Sequence, residues 1–331
     1  MAILVTGGAG YIGSHMALRL LDEGEKVLVC DDLSRGDERL VPPEAEFVRQ
    51  DVGDTAAMAR ILEEHDVEAV IHFAGFVIVP ESVRNPTLYY RKNTVVSLGL
   101  AEACLAAGVD KFIFSSTAAV YGEATGSGPI KEEAETSPIS PYGASKLMTE
   151  QILADLATAS GLRSICLRYF NVAGADPLLR SGQISPEATH LIKVISQVVV
   201  GQRPQLTIFG NDYPTADGTC ERDYIHVSDL VDAHYLALAH LRAGGGSRIF
   251  NCGYGRGTSV SQVVSACEKV AGRVVPVKLG PRREGDPAVL VADSSSIRQE
   301  LGWTPRHDKL ETIIRTALDW EARVASLAPR T

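Results

Sequence analysis

The chain has 331 residues, 45% hydrophobic and 22% charged, a balance that fits a globular protein of one large or two moderate domains. A formal charge of −9, with no Lys/Arg-dense stripe, excludes a nucleic-acid partner held by phosphate neutralisation. No apolar run approaches the roughly 18 residues of a membrane span, and the N-terminus enters a strand without a signal-peptide pattern, which predicts a cytoplasmic protein with no membrane partner.

The first predicted strand, 2–6, delivers the turn Thr6-Gly7-Gly8-Ala9-Gly10-Tyr11-Ile12-Gly13, and an amphipathic stretch from Ser14 to Glu23 follows. Read from Gly8, the turn fits G-x-G-x-x-G. At a strand-to-helix junction such glycines let the backbone approach a pyrophosphate, whose charge meets the helix N-terminus. The next strand, 26–30, ends in Asp31 and Asp32, where an acidic residue meets an adenosine ribose hydroxyl and repels a 2′-phosphate. The expected cofactor is NAD.

Further strands are predicted near 46–49, 69–73, 111–115 and 163–168. They alternate with helices near 13–23, 54–64, 82–107 and 141–159, which predicts an α/β fold with a doubly wound parallel Rossmann-type sheet. The run Lys111-Phe112-Ile113-Phe114 carries Ser115-Ser116-Thr117 to the ligand-binding end of its strand, with alternation turning Ser116 away from whatever Thr117 faces. Tyr142 and Lys146, four apart, share one helical face. Ten Tyr and nine Lys give about 0.3 chance matches of that spacing, so the pair gains weight from its surroundings. The exposed faces of the last two helices are candidates for a dimer contact.

After Asn171 the alternation weakens and Gly/Pro/Asp-rich loops separate shorter elements. The expected division is a dinucleotide-binding domain over 1–171 and a smaller C-terminal substrate-binding domain over 172–331, with a segment near 220–252 returning to the first. Cys30, Cys104, Cys166, Cys220, Cys252 and Cys267 lack C-x-x-C spacing and read as reduced, buried thiols. His72 and His226 lie in strand-like runs and read as core residues, and no spacing suggests a metal site.

Several blocks carry a family resemblance: TGGAGYIGSH, HFAG from His72, ESV from Glu81, FIFSSTAAVYG from Phe112, SPYGASKLMTEQIL from Ser140 and LRYFN from Leu167. EATHLI from Glu187, IFGNDYPTADGT from Ile208, RDYIHVSDL from Arg222 and RREGDPA from Arg282 continue it nearly end to end. The chain resembles the extended short-chain dehydrogenase/reductases, and within them the UDP-glucose (UDP-galactose) 4-epimerase group. The resemblance implies bound NAD, a UDP-sugar substrate and a homodimer.

Residue by residue, it implies catalytic roles for Thr117, Tyr142 and Lys146. Tyr142 would act as general base, its phenol brought from about 10 towards 7, a change of roughly 4 kcal/mol. Lys146 and the positive nicotinamide are the expected sources of that field. Thr117 would hydrogen-bond the reacting sugar oxygen. Cofactor contacts are implied for Gly7, Gly10, Tyr11, Ile12, Gly13, Asp31, Asp51, Val52, Phe73, Ala74, Gly75, Asn93, Ser115, Tyr142, Lys146 and Tyr169. Substrate contacts are implied for Thr117, Tyr142, Asn171, His190, Leu191, Thr207, Phe209, Arg222, Tyr224, Arg283, Asp286 and Leu290. Arg222 and Arg283 would hold the diphosphate through permanently charged guanidinium forks.

Thr117 is followed by Ala118 and Ala119, whereas related dehydratases place an acid there to eliminate water. Reversible oxidation at C4 is therefore expected. His190 stands where some relatives have Asn, Val77 where some have a Lys reaching the cofactor ribose, and Leu290 at a position linked to acceptance of N-acetylated sugars. A UDP-N-acetylglucosamine or UDP-pentose (arabinose/xylose) 4-epimerase is the alternative enzyme reading. A non-catalytic dinucleotide-sensing protein is the alternative from another class, and the catalytic trio speaks against it.

Overall fold

The structure is a computed structural model that describes residues 1–123, 128–185, 189–283 and 286–327. Glu187 and Ala188 of the EATHLI block, and Glu284 and Gly285 of the RREGDPA block, lie outside the described residues.

The first part of the chain runs β1 (Ala2–Thr6), α1 (Tyr11–Asp22), β2 (Val27–Asp31), β3 (Glu46–Arg49), α2 (Thr55–Glu64) and β4 (Val67–His72). It continues through α3 (Val79–Arg84), α4 (Pro86–Tyr89), a π-helical stretch (Tyr90–Val95), α5 (Val96–Ala106), β5 (Lys111–Thr117), α6 (Pro141–Ser160) and β6 (Arg163–Tyr169). Then come β7 (Asn171–Ala173), α7 (Leu191–Val199), β8 (Leu206–Phe209), β9 (Glu221–Arg222), β10 (Tyr224–His226), α8 (Val227–Arg242) and β11 (Arg248–Cys252). β12 (Thr258–Ser259), α9 (Val260–Ala271), β13 (Val277–Gly280), β14 (Val289–Leu290), α10 (Ser295–Leu301) and α11 (Leu310–Leu327) complete it.

Seven strands form one parallel sheet in the order β11-β6-β5-β4-β1-β2-β3. The order reverses between β1 and β4, so the loops leaving their C-terminal ends diverge and open a crevice there. Both faces are covered, which explains strands that read as continuous apolar runs. Period-two alternation sorts the side chains. Ile3, Val5 and Ile113 pack with Met16 and Leu20 of α1 and Leu230 of α8, whereas Leu4, Phe112 and Phe114 pack with Met58, Leu100 and Leu153 of α2, α5 and α6.

The helix expected over 82–107 is broken. Pro86 has no N–H to give and disfavours helical backbone at Asn85, which adopts φ −136° and ψ 66°. The π-helical stretch that follows turns Asn93 inward, where it is buried. β11 and α8 join the main sheet, while α7, α9 and α11 enclose a separate core around Ile195, Val263 and Ile314, close to β8 and β10. β7 and β10 pair in parallel beside the C-terminal edge of the main sheet. All six cysteines are free and buried. No described helix is long and apolar enough to cross a membrane, and the described residues hold no cluster that could bind a metal ion.

Candidate active site

The glycine turn leaves β1 with Gly7 at φ +67°, a conformation that L side chains rarely adopt. A Cβ on Gly7 would lie 2.6 Å from the Ala74 backbone nitrogen, and one on Gly13 would lie 2.2 Å from the Gly7 carbonyl oxygen. Gly10 caps α1 without a side-chain hydrogen bond, so the first N–H groups of this 12-residue helix remain available to an anion. The cradle therefore fits a dinucleotide pyrophosphate. At the end of β2, Asp31 accepts from Ala9 N (3.1 Å) and Leu33 N (2.9 Å), with its carboxyl raised by burial. Asp51 accepts from Gly53 N at 2.8 Å and from Lys92 Nζ at 3.0 Å, beside buried Val52, and these contacts hold its carboxyl below the usual value.

The catalytic candidates meet where β5 ends and α6 begins. Ser140 caps α6 by accepting from Gly143 N at 3.2 Å, which sets the face carrying Tyr142 and Lys146. Lys146 Nζ donates to the Ser115 carbonyl at 3.0 Å and lies 4.8 Å from the centre of the Phe114 ring. Burial pushes its ammonium down to about 8, against an opposing pull from Glu150. Burial raises the Tyr142 phenol, and a hydrogen bond with Thr117 pulls it back. The Thr117 hydroxyl oxygen accepts from Ala119 N at 3.1 Å. Tyr169 hydrogen-bonds the Ser115 hydroxyl, and Ser116, turned to the opposite face, donates to Glu150.

Across the cleft, β9 pairs with β14 so that Arg222 faces Leu290 in register, and Arg222 forms an ion pair with Asp286. The Arg283 guanidinium lies 4.1 Å from the centre of the Phe209 ring on β8. His190 is exposed towards the cleft at the start of α7, with Nδ1 3.0 Å from Gln183 Nε2. The surrounding walls shield it and lower its imidazole.

One cavity of about 1220 Å³ connects the two halves. It is lined by Gly7, Gly10, Tyr11, Ile12, Gly13, Asp31, Asp51, Val52, Phe73, Ala74, Gly75, Ser115, Tyr142 and Tyr169. Its other half is lined by Thr117, Asn171, His190, Leu191, Thr207, Phe209, Arg222, Tyr224, Arg283, Asp286 and Leu290. Lys146 and Asn93 do not reach the wall. Asn93 instead braces the loop after β4, accepting from Phe76 N at 2.7 Å and donating to Phe76 O and to Ser145 Oγ, each at 3.0 Å.

The NAD dependent epimerase/dehydratase family model matches residues 3–253. The chain belongs to that family. It is 59% identical over 319 residues to the UDP-glucose 4-epimerase of Azospirillum brasilense, covering 96% of this chain and 91% of that protein. A solved UDP-glucose 4-epimerase matches with a TM-score of 0.95 at 45% identity, covering 98% of each chain. The Stenotrophomonas maltophila UDP-glucose 4-epimerase, solved with NAD and formylated UDP-arabinopyranose, gives a TM-score of 0.95 at 42% identity, covering 99% of this chain and 100% of that one.

Sequence reasoning missed part of this epimerase/dehydratase-family cleft. Arg35 pairs with Glu81 at 2.8 Å and lies 4.7 Å from the Phe76 ring centre, tying the loop after β2 to the loop after β4. Arg203 also lines the cavity, its Nε donating to Gln197 Oε1 at 2.6 Å. Neither arginine lies in a motif; the signal for Arg35 was its position just after Asp31 and Asp32. His72 and His226 are core residues. His72 contacts Thr6 at 2.7 Å and Ser97 at 2.9 Å, and His226 accepts from Ser228 N and contacts Thr316, each at 3.1 Å.

Proposed function

We propose that the protein is a 4-epimerase that interconverts UDP-glucose and UDP-galactose, with residues 1–171 and a returning 220–252 segment holding NAD and the remainder mainly holding the UDP-sugar. The observation that carries this reading is the meeting of Thr117 and Tyr142 on the wall shared by the two halves of the cleft, backed from behind by buried Lys146. NAD bound along the glycine turn, Asp31 and the loop after β4 would supply reversible oxidation at the sugar's C4.

Tyr142 takes the C4 hydroxyl proton through Thr117 and later returns it. Lys146, a cation below about pH 8, favours the phenolate that this transfer needs. Ala118 and Ala119 offer no acid or base for eliminating water, so the oxidised sugar is retained and re-reduced. Presenting its other face inverts C4. Arg222 and Arg283 hold the diphosphate, and Phe209 and Tyr224 flank the uridine. Purified protein incubated with a panel of UDP-sugars, without added NAD, should equilibrate UDP-glucose and UDP-galactose. Net consumption of NAD or formation of a dehydrated sugar would contradict the reading.

A second reading, turnover of UDP-N-acetylglucosamine or a UDP-pentose, is favoured by Leu290, a mid-sized side chain on the cavity wall beside Arg222. The same panel distinguishes it. The exposed apolar side chains of Val83, Val95 and Met148 on α3, the π-helical stretch and α6 support a homodimer, checked by sedimentation. Six free cysteines support the reducing cytoplasm.

A further inference from the structure

Behind the cavity wall lies a charged cluster whose members do not line the cavity. Glu150 follows Tyr142 and Lys146 at the next four-residue step of α6, so the three share a face. Its side chain is 3% exposed and that of Arg168, on β6, 5%. Both carboxylate oxygens are used. Oε1 accepts from the Ser116 hydroxyl and from Arg168 Nε at 3.0 Å, and Oε2 accepts from Arg168 Nη2 at 2.6 Å. Arg168 Nη1 donates to the Tyr121 hydroxyl at 3.0 Å and to the Glu132 carbonyl at 3.2 Å, and Tyr121 donates to Asn251 Oδ1 at 2.7 Å.

The cluster thus bolts α6 to three neighbouring strands, β5, β6 and β11. Its anchor on β5 is Ser116, the residue between Ser115, which holds Lys146, and Thr117, which meets Tyr142. A buried ion pair is a poor source of net stability, since well-packed apolar residues do as well. What it supplies here is one fixed geometry and one fixed negative charge a helical turn from Lys146.

We propose that Glu150, clamped by Arg168 and Ser116, is a positioning residue of the site, fixing the catalytic helix on its strand and holding Lys146 in the charged form. The proposal rests on the catalytic reading of Tyr142 and Lys146. Around Lys146, β5 contributes the Ser115 carbonyl and the Phe114 ring, and β4 contributes His72, which burial pushes down to about 3 and keeps neutral. The loop after β4 brings Gly75, the π-helical stretch brings the neutral amide of Asn93, and α6 itself brings Tyr142, whose phenol burial raises. Among the described ionisable groups that face Lys146, Glu150 is the one whose charge favours the ammonium, with Arg168 as counter-charge.

The test uses opposite charge deletions in the NAD-loaded enzyme. Glu150→Gln leaves Arg168 uncompensated, so Lys146 should lose its proton at lower pH, and the alkaline fall of kcat should move down by about one pH unit. Arg168→Met leaves Glu150 uncompensated and should move it up. The double variant should return near the parent midpoint. The same midpoints are read without turnover by NMR of carbon-labelled lysine, with Lys146→Met assigning the signal among nine lysines. Should one single variant fail to fold, the other and the double variant carry the comparison. Activity losses with unmoved Lys146 midpoints, or shifts of one sign in both singles, would overturn the role. A Tyr142→Phe control separates the two ideas, because normal turnover there removes the catalytic reading itself.

Discussion

Lys146 Nζ donates to the Ser115 carbonyl at 3.0 Å from inside the protein, so the ammonium sits where its charge is disfavoured by burial. Its ordinary value is 10.5 and the fold lowers it to about 8. Below about pH 8 the folded protein carries the full penalty. Between 8 and 10.5 the unfolded chain binds more protons than the folded one, so stability rises with pH as the penalty is relieved. Lys146→Met should therefore stabilise the cofactor-free protein at pH 7 by up to about 3 kcal/mol while abolishing turnover, and the gain should shrink towards pH 10. Urea unfolding at the two pH values checks this, and a Met variant no more stable than the parent at pH 7 would refute it.

Gly7→Ala should lose bound NAD. The new methyl group would meet the Ala74 backbone at 2.6 Å, and the φ of +67° adds strain, so neither neighbour nor turn can yield cheaply. The parent protein should release NAD on denaturation, with little NADP because Asp31 repels a 2′-phosphate. Gly7→Ala should release at least about tenfold less. Equal cofactor content in parent and variant would show that the turn does not hold the pyrophosphate.

The legible parts of the sequence were those written in short spacing. The glycine turn spans one strand-to-helix junction, the acidic end of β2 and the Tyr142/Lys146 step each lie within one element or its edge, and alternation correctly turned Ser116 from the face of Thr117. The unbroken helix expected over 82–107 was wrong because apolar periodicity outweighed Pro86, the one residue that forbids it. Arg168 with Glu150, and Arg35 with Glu81, were invisible for another reason. Each pair joins separate elements, and a charged residue that closes such a pair, buried as in Arg168–Glu150 or half-exposed as in Arg35–Glu81, looks in sequence like one that faces only water.

Arg283→Ala should raise KM for the UDP-sugar by about tenfold or more with little change in kcat. Its guanidinium lies over Phe209 on the cavity wall, and a contact with the diphosphate rather than with C4 would stabilise ground and transition states alike. Steady-state kinetics decides, and a normal KM with collapsed kcat would contradict the assignment.

Leu290→Tyr should lower any turnover of UDP-N-acetylglucosamine several-fold while largely sparing UDP-glucose. The side chain lines the cavity in register with Arg222, so an added ring would fill space that an acetamido group needs. The comparison is of kcat/KM for the two sugars, and equal losses on both would mean that Leu290 does not gate that space.

Tyr142→Phe should keep the fold and the bound cofactor yet lose about 10²-fold or more in kcat, the scale of a removed general base. The substitution keeps the ring, which is buried and makes an edge contact with Tyr89, so a packing role would barely register it. Thr117→Val removes the hydroxyl that shares the cavity wall with Tyr142 and should act in the same direction, less severely. If the two hydroxyls form one relay, the double variant should lose less than the sum of the single losses, because either deletion already breaks the chain. Single-turnover reduction of the bound cofactor by UDP-galactose isolates the step. Strictly additive losses would separate Thr117 from the relay, and near-normal rates in Tyr142→Phe would show that another group serves as the base.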